Sequence, residues 1–149
     1  MARDKISVVI PVYNEEPVIG RLMERLLPVM EGMDREYEII LVDDGSTDRS
    51  LEIMKGYAGG AVLVVELTRN YGQHAAVFAG FENSEGEIVV TLDADLQNPP
   101  EEIPRLVEHM EAGDFEVVGT IRVTRNDPAY RKLASRVVNA LTRRITGVS

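Results

Sequence analysis

The 149-residue sequence has no cysteine, no tryptophan and only two histidines. Without cysteine there is no disulfide, no cysteine-ligated zinc, no iron–sulfur cluster and no thiol catalysis. With so few histidines, a metal site would have to be built from carboxylates, which select hard cations. Any bound metal is therefore expected to be oxygen-ligated.

The sequence also has no apolar window of about 18 residues, the length that suggests a membrane-spanning helix. Its first residues, MARDKISVVIPVYNEE, look like an acidic segment leading into a strand, not like a secretory signal. We therefore expect a cytoplasmic chain that forms one compact domain, since 44% of its residues are hydrophobic. The 16 basic side chains are outnumbered by 25 acidic ones, which argues against binding to nucleic acid.

Five short runs rich in Val and Ile are predicted as strands covered on both faces, because they lack strict polar alternation. These runs are 6–12, 38–42, 61–67, 87–92 and 115–121. Helical patterns lie between and after them, over 17–33, 48–58, 73–84, 101–112 and 129–145. The alternation predicts an α/β fold with a parallel sheet, helices on both faces and ligands at the carboxyl ends of the strands.

Two aspartates, Asp93 and Asp95, follow the fourth predicted strand. In an extended segment both side chains point the same way, so that one cation can bridge their charges. Mg²⁺ or Mn²⁺ suits such a pair, with substrate phosphates completing the ligands. The alternative is that both are turn formers before the next helix. Because Asn98 and the two prolines after it already mark the start of that helix, the metal interpretation is favoured.

Two further motifs, PVYNE and DDGSTD, follow the first and second strands. Half of DDGSTD is expected to form a turn and a helix cap, whereas Asp44 could accept hydrogen bonds from a base or ribose. Tyr13 could stack on a base, and Asn14 and Glu15 could be ligands or cap the next helix. Neither glycine-rich phosphate-binding fingerprint occurs, so the phosphates of a nucleotide would be held by metal.

The C-terminal stretch is basic, although the chain as a whole is acidic. Residues 122–149 include seven basic side chains and one acidic side chain. Two interpretations of its predicted helix, 129–145, are open: a solvated face, or contact with phosphates or an anionic membrane surface.

Four segments together resemble the family-2 glycosyltransferases of GT-A fold: PVYNE, DDGSTD, RNYGQHAAVFAGF and LDADLQNPPEEIPRLV. Within that family they are similar to the group that loads a sugar onto a polyprenyl phosphate such as undecaprenyl phosphate, a group related to dolichol-phosphate mannose synthase. The resemblance covers nearly the whole chain. It implies a metal-dependent, inverting transfer of sugar from a nucleotide-diphosphate donor to the lipid phosphate, at the cytoplasmic face of the membrane.

The resemblance also implies roles for individual residues. Asp93 and Asp95 would bind Mg²⁺ or Mn²⁺ and, with Gln97, form the catalytic site. Arg131 and Lys132 would face the lipid acceptor or the membrane. The residues implied around the nucleotide sugar, besides the two aspartates, are Pro11, Tyr13, Glu15, Val42, Asp44, Ala94 and Arg122.

Members of this group usually run to roughly twice this length. We therefore expect residues 1–149 to be the N-terminal, nucleotide-sugar-binding part of a truncated GT-A domain, able to bind donor without turning it over. The alternative is a regulatory α/β domain of the phosphoacceptor receiver type. That type needs an acidic pair after strand one, where this sequence has Tyr-Asn-Glu.

Overall fold

Strands and helices alternate along the computed structural model, which describes residues 4–113 and 115–119. The described residues up to Val118 form one compact unit. A 3₁₀ turn, Pro100–Glu102, precedes the last described helix. The elements, in chain order, are β1 (Ile6–Val12), α1 (Glu16–Glu31), β2 (Tyr37–Asp43), α2 (Ser50–Tyr57), β3 (Val62–Glu66), α3 (Gln73–Glu82), β4 (Ile88–Thr91) and α4 (Ile103–Gly113).

The four strands form one parallel sheet in the order β3-β2-β1-β4. This is the start of the 3-2-1-4 order of dinucleotide-binding sheets, whereas receiver domains have the order 2-1-3-4-5. The receiver alternative is therefore wrong. In such sheets ligands bind where the strand order reverses, which here is the crevice beyond the carboxyl ends of β1 and β4.

The sheet has a large core on one face and a small one on the other. Alternate residues of β1 point to opposite faces, so that Ile6, Val8 and Ile10 join the large core with side chains of α1, α2 and α4. On the opposite face, α3 covers a smaller cluster: Val9, Ile40, Val42 and Ala76. The two central strands are thus covered on both faces, as predicted.

The edge strands differ from the prediction. Leu63 of β3 and Val89 of β4 are 42% and 41% exposed. The physical reason is that α3 packs against β1 and β2, so that these two positions further out on the sheet stay in contact with solvent. A fifth strand over 115–121 is also absent from its described part, 115–119, where Phe115 and Val117 are exposed and no strand pairs with them.

Three of the residues singled out in the sequence, Arg122, Arg131 and Lys132, lie outside the described residues, as does the predicted helix 129–145. Among the helices that the structure describes, none is both long and apolar enough to cross a bilayer.

Candidate functional site

A cleft of about 340 Å³ opens at the carboxyl end of the sheet. The loops that follow all four strands contribute to it, and the loops after β1 and β4 flank the point where the strand order reverses. The cleft therefore lies where parallel α/β sheets bind ligands. Its lining residues are Pro11, Val12, Tyr13, Glu15, Asp44, Asn70, Gly72, Gln73, Asp93, Ala94 and Asp95.

The loop after β1 is tied to the loop after β2 by Asn14. Its side-chain oxygen accepts the backbone N–H of Thr47 at 2.8 Å and that of Asp48 at 3.3 Å. Its own backbone N–H donates to the Ser46 hydroxyl at 3.0 Å. Asn14 thus braces the neighbouring loop, a role that neither sequence interpretation of this residue included.

The N-termini of α1 and α2 lie side by side and cap each other. The Glu15 N–H donates to the Ser50 hydroxyl at 2.8 Å, and the Glu16 N–H donates to the Asp48 carboxylate at 3.2 Å. In return, the Glu16 carboxylate accepts the N–H of Arg49 at 3.1 Å. Because helix N-termini carry orphan donors, this exchange stabilises both loops at once.

The two aspartates of DDGSTD are both buried and both bind backbone N–H groups. Asp43 is 1% exposed, and its carboxylate accepts the N–H of Ser46. Asp44 is 3% exposed, and its two oxygens accept the N–H groups of Tyr71 at 2.8 Å and Gly72 at 3.0 Å. Asp43 therefore forms the predicted turn, whereas Asp44 holds the loop after β3 and also lines the cleft.

Asp93 and Asp95 both line the cleft, but the segment between them is a turn and not the extended chain that was predicted. The turn arises because Asp95 Oδ1 accepts the N–H of Gln97 at 3.0 Å and Leu96 adopts a left-handed conformation, with φ of 59°. Asp93 Oδ1 accepts the side-chain amide of Gln73 at 2.9 Å. Asp95 is thus a turn former as well as a cleft residue.

The lining carries four carboxylates, those of Glu15, Asp44, Asp93 and Asp95, and its described members include no Lys or Arg. Burial and the negative charges of Asp95 and Asp48 raise the pKa of the Glu15 carboxyl. Such a cleft repels an anionic ligand and attracts a cation. Among the described residues, no three acidic or histidine side chains converge as a complete metal cage. This donor set fits Mg²⁺ or Mn²⁺, which binds through one or two carboxylates and substrate phosphates.

Two of the remaining sequence candidates lie apart from the cleft lining. Val42 is fully buried in the small core beneath α3, and Gln97 is exposed on the turn after Asp95. Conversely, Asn70, Gly72 and Gln73 line the cleft although their motif was given no binding role. The signal that could have found them is their position, since they follow β3 at the same edge of the sheet as the other motifs.

The chain also matches a known protein family. Residues 7–146 match the family described as glycosyl transferase family 2. The chain belongs to glycosyl transferase family 2. This confirms the family predicted from the four motifs.

Curated members of the family share more than half of their aligned residues with the chain. Relatives named undecaprenyl-phosphate 4-deoxy-4-formamido-L-arabinose transferase are 54% identical over 97% of the chain in Edwardsiella ictaluri and 56% identical over 98% of it in Pseudomonas aeruginosa. The aligned region covers 45% and 44% of those proteins, so the chain spans less than half their length. Their names agree with the polyprenyl-phosphate group predicted from the motifs.

Solved structures of other glycosyltransferases have the same fold. A mannosyltransferase from Pyrobaculum calidifontis, in complex with GDP-Man and Mn²⁺, is 27% identical with a TM-score of 0.62, covering 74% of this chain and 33% of its own. TarS from S. aureus, in complex with UDP-GlcNAc, is 25% identical with a TM-score of 0.61, covering 83% of this chain and 38% of its own. These likenesses confirm the predicted GT-A fold.

Proposed function

We propose that this chain is the donor-binding part of an enzyme that transfers a sugar from a nucleoside diphosphate to undecaprenyl phosphate. Relatives with more than half of their aligned residues identical support the lipid acceptor and, by their name, 4-deoxy-4-formamido-L-arabinose as the sugar. The solved mannosyltransferase in complex with GDP-Man and Mn²⁺, which has the same fold, supports a donor held together with a divalent cation.

The charge of the cleft carries this proposal. A nucleotide sugar brings two phosphates, and the described lining offers four carboxylates and no basic side chain. The donor is therefore expected to bind more tightly together with a cation, for which Asp93 and Asp95 are the proposed ligands. When bound, Mg²⁺ or Mn²⁺ supplies electrostatic stabilisation of the negative charge that develops on the leaving diphosphate.

Other cleft residues are proposed to hold the nucleoside and sugar. Tyr13 is 46% exposed at the rim and offers a ring on which a base can stack. Asp44, with each oxygen already accepting one N–H, keeps lone pairs for a base or ribose donor. Pro11 and Ala94 add apolar surface. Gln97, outside the described lining, is tied to Asp95 through its N–H and is proposed to meet the donor from that turn.

The proposed reaction is a single displacement. A phosphate oxygen of the lipid forms a bond to the anomeric carbon while the bond from that carbon to the diphosphate breaks, which inverts the configuration. Since the lipid phosphate is already ionised, no strong general base is needed. The nucleoside diphosphate leaves with the electron pair. As the acceptor phosphate lies at a bilayer surface and the donor is a water-soluble nucleotide, we place the reaction at the cytoplasmic face of the membrane.

Titration calorimetry with UDP and with GDP, with and without Mn²⁺, tests the donor and metal assignments. We expect one of the two nucleotides to bind with Mn²⁺ and to bind at least about tenfold more weakly without it. Asp93→Asn and Asp95→Asn should each remove the dependence on Mn²⁺, because an amide is a poorer ligand than a carboxylate. Asp34→Asn, an exposed aspartate outside the cleft lining, is the matched control and should bind like the unmodified protein.

Nucleotide binding that is equally strong without metal, and unchanged in both cleft variants, would contradict the proposal. Transfer to the acceptor is measured separately, from labelled sugar recovered in undecaprenyl phosphate in detergent micelles. For that measurement the full-length protein is used, and an Asp93→Asn version that retains transfer would overturn the assigned role of this residue.

A further inference from the structure

Gln73, the first residue of α3, contacts a proposed metal ligand across the cleft. Its side-chain nitrogen Nε2 donates to Asp93 Oδ1 at 2.9 Å. The two residues are 20 positions apart in the chain, they follow different strands, and both line the cleft. The bond therefore joins the loop after β3 to the loop after β4.

The backbone just before Gln73 is held in place by the buried side chain of Asp44. The two residues before it, Tyr71 and Gly72, donate their N–H groups to the two oxygens of the buried Asp44 carboxylate. Hydrogen bonds to a buried charged group are among the stronger ones in proteins. The start of α3 is thus fixed relative to β2.

The helix itself is fixed against the sheet. Ala76 is fully buried, and Gly80 lies so close to β1 that an added Cβ would come within 2.2 Å of a Val9 methyl carbon. Close packing of this kind allows little movement of the helix. The direction from which the Gln73 amide approaches Asp93 is therefore set by the core of the domain.

We propose that Gln73 is a positioning residue that orients the Asp93 carboxylate toward the divalent cation. This inference rests on the proposed function, in which Asp93 is a metal ligand. Ligating carboxylates are commonly held by a hydrogen-bond donor behind them, and losing that donor typically costs about 10–100-fold in metal affinity.

The chemistry of the side chain suits this role. A glutamine amide donates one hydrogen bond while carrying no net charge, so it holds Oδ1 without competing with the cation. A lysine or arginine in its place would neutralise Asp93 and repel the metal. The rest of the lining described in the structure agrees, since Asn70 is also an amide and the ionised groups are all carboxylates.

Mn²⁺ binding tests the inference without measuring turnover. It is measured from the decrease in the EPR signal of free Mn²⁺ in the presence of UDP or GDP, whichever the unmodified protein binds with Mn²⁺. Gln73→Met keeps the length of the side chain but has no donor. We expect it to weaken Mn²⁺ binding by about tenfold or more, with the melting temperature unchanged. Gln73→Lys keeps a donor but adds a positive charge, and it should weaken Mn²⁺ binding further.

His74→Met, the neighbouring exposed residue on the same helix, is the control and should bind Mn²⁺ normally. Mn²⁺ affinity that is unchanged in both Gln73 variants, while Asp93→Asn has lost it, would overturn the role of Gln73 and leave the proposed function standing. If neither UDP nor GDP binding by the unmodified protein depends on Mn²⁺, the proposed function fails instead. Should Gln73→Met not fold, Gln73→Asn takes its place, because its amide is one methylene too short to keep the 2.9 Å bond, and equal Mn²⁺ binding by that variant contradicts the inference.

Discussion

The side-chain oxygen of Asn14 accepts the backbone N–H of Thr47 at 2.8 Å, although 33 residues separate the two in the chain. The bond fastens the loop that carries Tyr13 and Glu15 to the loop after β2. Asn14 also has a positive φ of 54°, a conformation that asparagine tolerates better than most residues. Asparagine thus both tolerates the backbone conformation at this position and supplies the hydrogen-bond acceptor for the loop after β2.

Replacing Asn14 by glycine should therefore destabilise the domain moderately. Glycine tolerates the positive φ but removes the acceptor, and the lost hydrogen bonds amount to about 1 kcal/mol because the site is exposed to water. For a domain of this size that corresponds to a fall in melting temperature of about 4 °C, which differential scanning calorimetry measures. Asn14→Asp keeps the acceptor and should melt close to the unmodified protein. Equal melting of the Gly and Asp variants would show that the bond contributes nothing.

Asp44 is expected to matter more for stability than the proposed metal ligands. Its carboxylate is 3% exposed and accepts one backbone N–H on each oxygen. In Asp44→Asn, one of those N–H groups would face an amide NH₂ and stay unpaired, which costs about 2–3 kcal/mol. Urea unfolding should show this loss.

Asp93→Asn serves as the matched comparison for Asp44→Asn. Asp93 is half-buried, and an asparagine there can still accept the Gln73 amide through its side-chain oxygen. We expect its stability to change by less than about 0.5 kcal/mol. A larger loss at Asp93 than at Asp44 would indicate that Asp93 is chiefly a structural residue.

The repeating elements of the fold could be predicted from the sequence because their signals are local. β1 was predicted with its observed limits, Ile6–Val12, since a run of apolar residues between Lys5 and Tyr13 leaves little choice of ends. The order of the strands required pairings that no local pattern contains. The partial exposure of Leu63 and Val89 could not be predicted from local sequence either, because it depends on how far α3 reaches across the sheet.

The site was predictable in its location but not in its internal bonds. The rule that ligands collect at the carboxyl ends of parallel strands placed Glu15, Asp44, Asp93 and Asp95 together. It could not assign the bond from Gln73 to Asp93, because the residues are far apart in the chain and an amide at a helix start has many possible partners. The turn at Asp95 was missed for a related reason: an aspartate after a strand is equally suited to an extended segment and to a turn.

A network at the other end of the sheet should make stability depend on pH. Glu38 accepts hydrogen bonds from the Ser7 hydroxyl and the Glu85 N–H, and pairs with Lys5 at 3.1 Å. Burial raises the pKa of the Glu38 carboxyl, but these bonds outweigh it and hold the pKa below its ordinary value of 4.5. Hydrogen bonds to Glu85 and Glu38 raise the pKa of Lys5 above 10.5.

The direction of each pKa shift determines the pH range in which that residue contributes to stability. The contribution of Glu38 is present above pH 4.5 and is lost as the pH falls through its lowered folded-state pKa. The contribution of Lys5 is present below pH 10.5 and is lost as the pH rises through its raised pKa. We therefore expect Glu38→Gln to lower the melting temperature by about 4 °C at pH 7, for a loss of about 1 kcal/mol.

That difference should shrink as the pH falls below 4.5 and through the lowered folded-state pKa of Glu38, where the native glutamate takes up its proton. Melting curves of both proteins, from pH 8 down to the most acid pH at which the unmodified protein is still folded, provide the measurement. Glu24→Gln, at an exposed position of α1, is the control and should follow the unmodified protein throughout. A constant gap between Glu38→Gln and the unmodified protein across this range would show that packing, not charge, accounts for the loss.

Two glycines should respond to alanine in opposite directions. Gly45 has a φ of +70°, and an added Cβ would lie 2.4 Å from the carbonyl carbon of Arg69 and 2.5 Å from the backbone nitrogen of Asn70. Because backbone atoms cannot move aside cheaply, Gly45→Ala should cost about 3 kcal/mol or more. It should also weaken nucleotide binding, since the displaced loop carries Asn70 into the cleft.

Gly56, in α2, has nothing within 4 Å of an added Cβ. Gly56→Ala should therefore stabilise the domain by about 0.5–1 kcal/mol, because alanine favours the helix over glycine. Urea unfolding of the two variants, with UDP and Mn²⁺ titrated into each, separates the effects on stability and on the cleft. If Gly45→Ala unfolds like the unmodified protein and binds UDP normally, the turn after β2 is not packed against the loop after β3, and Asp44 cannot be holding that loop in place.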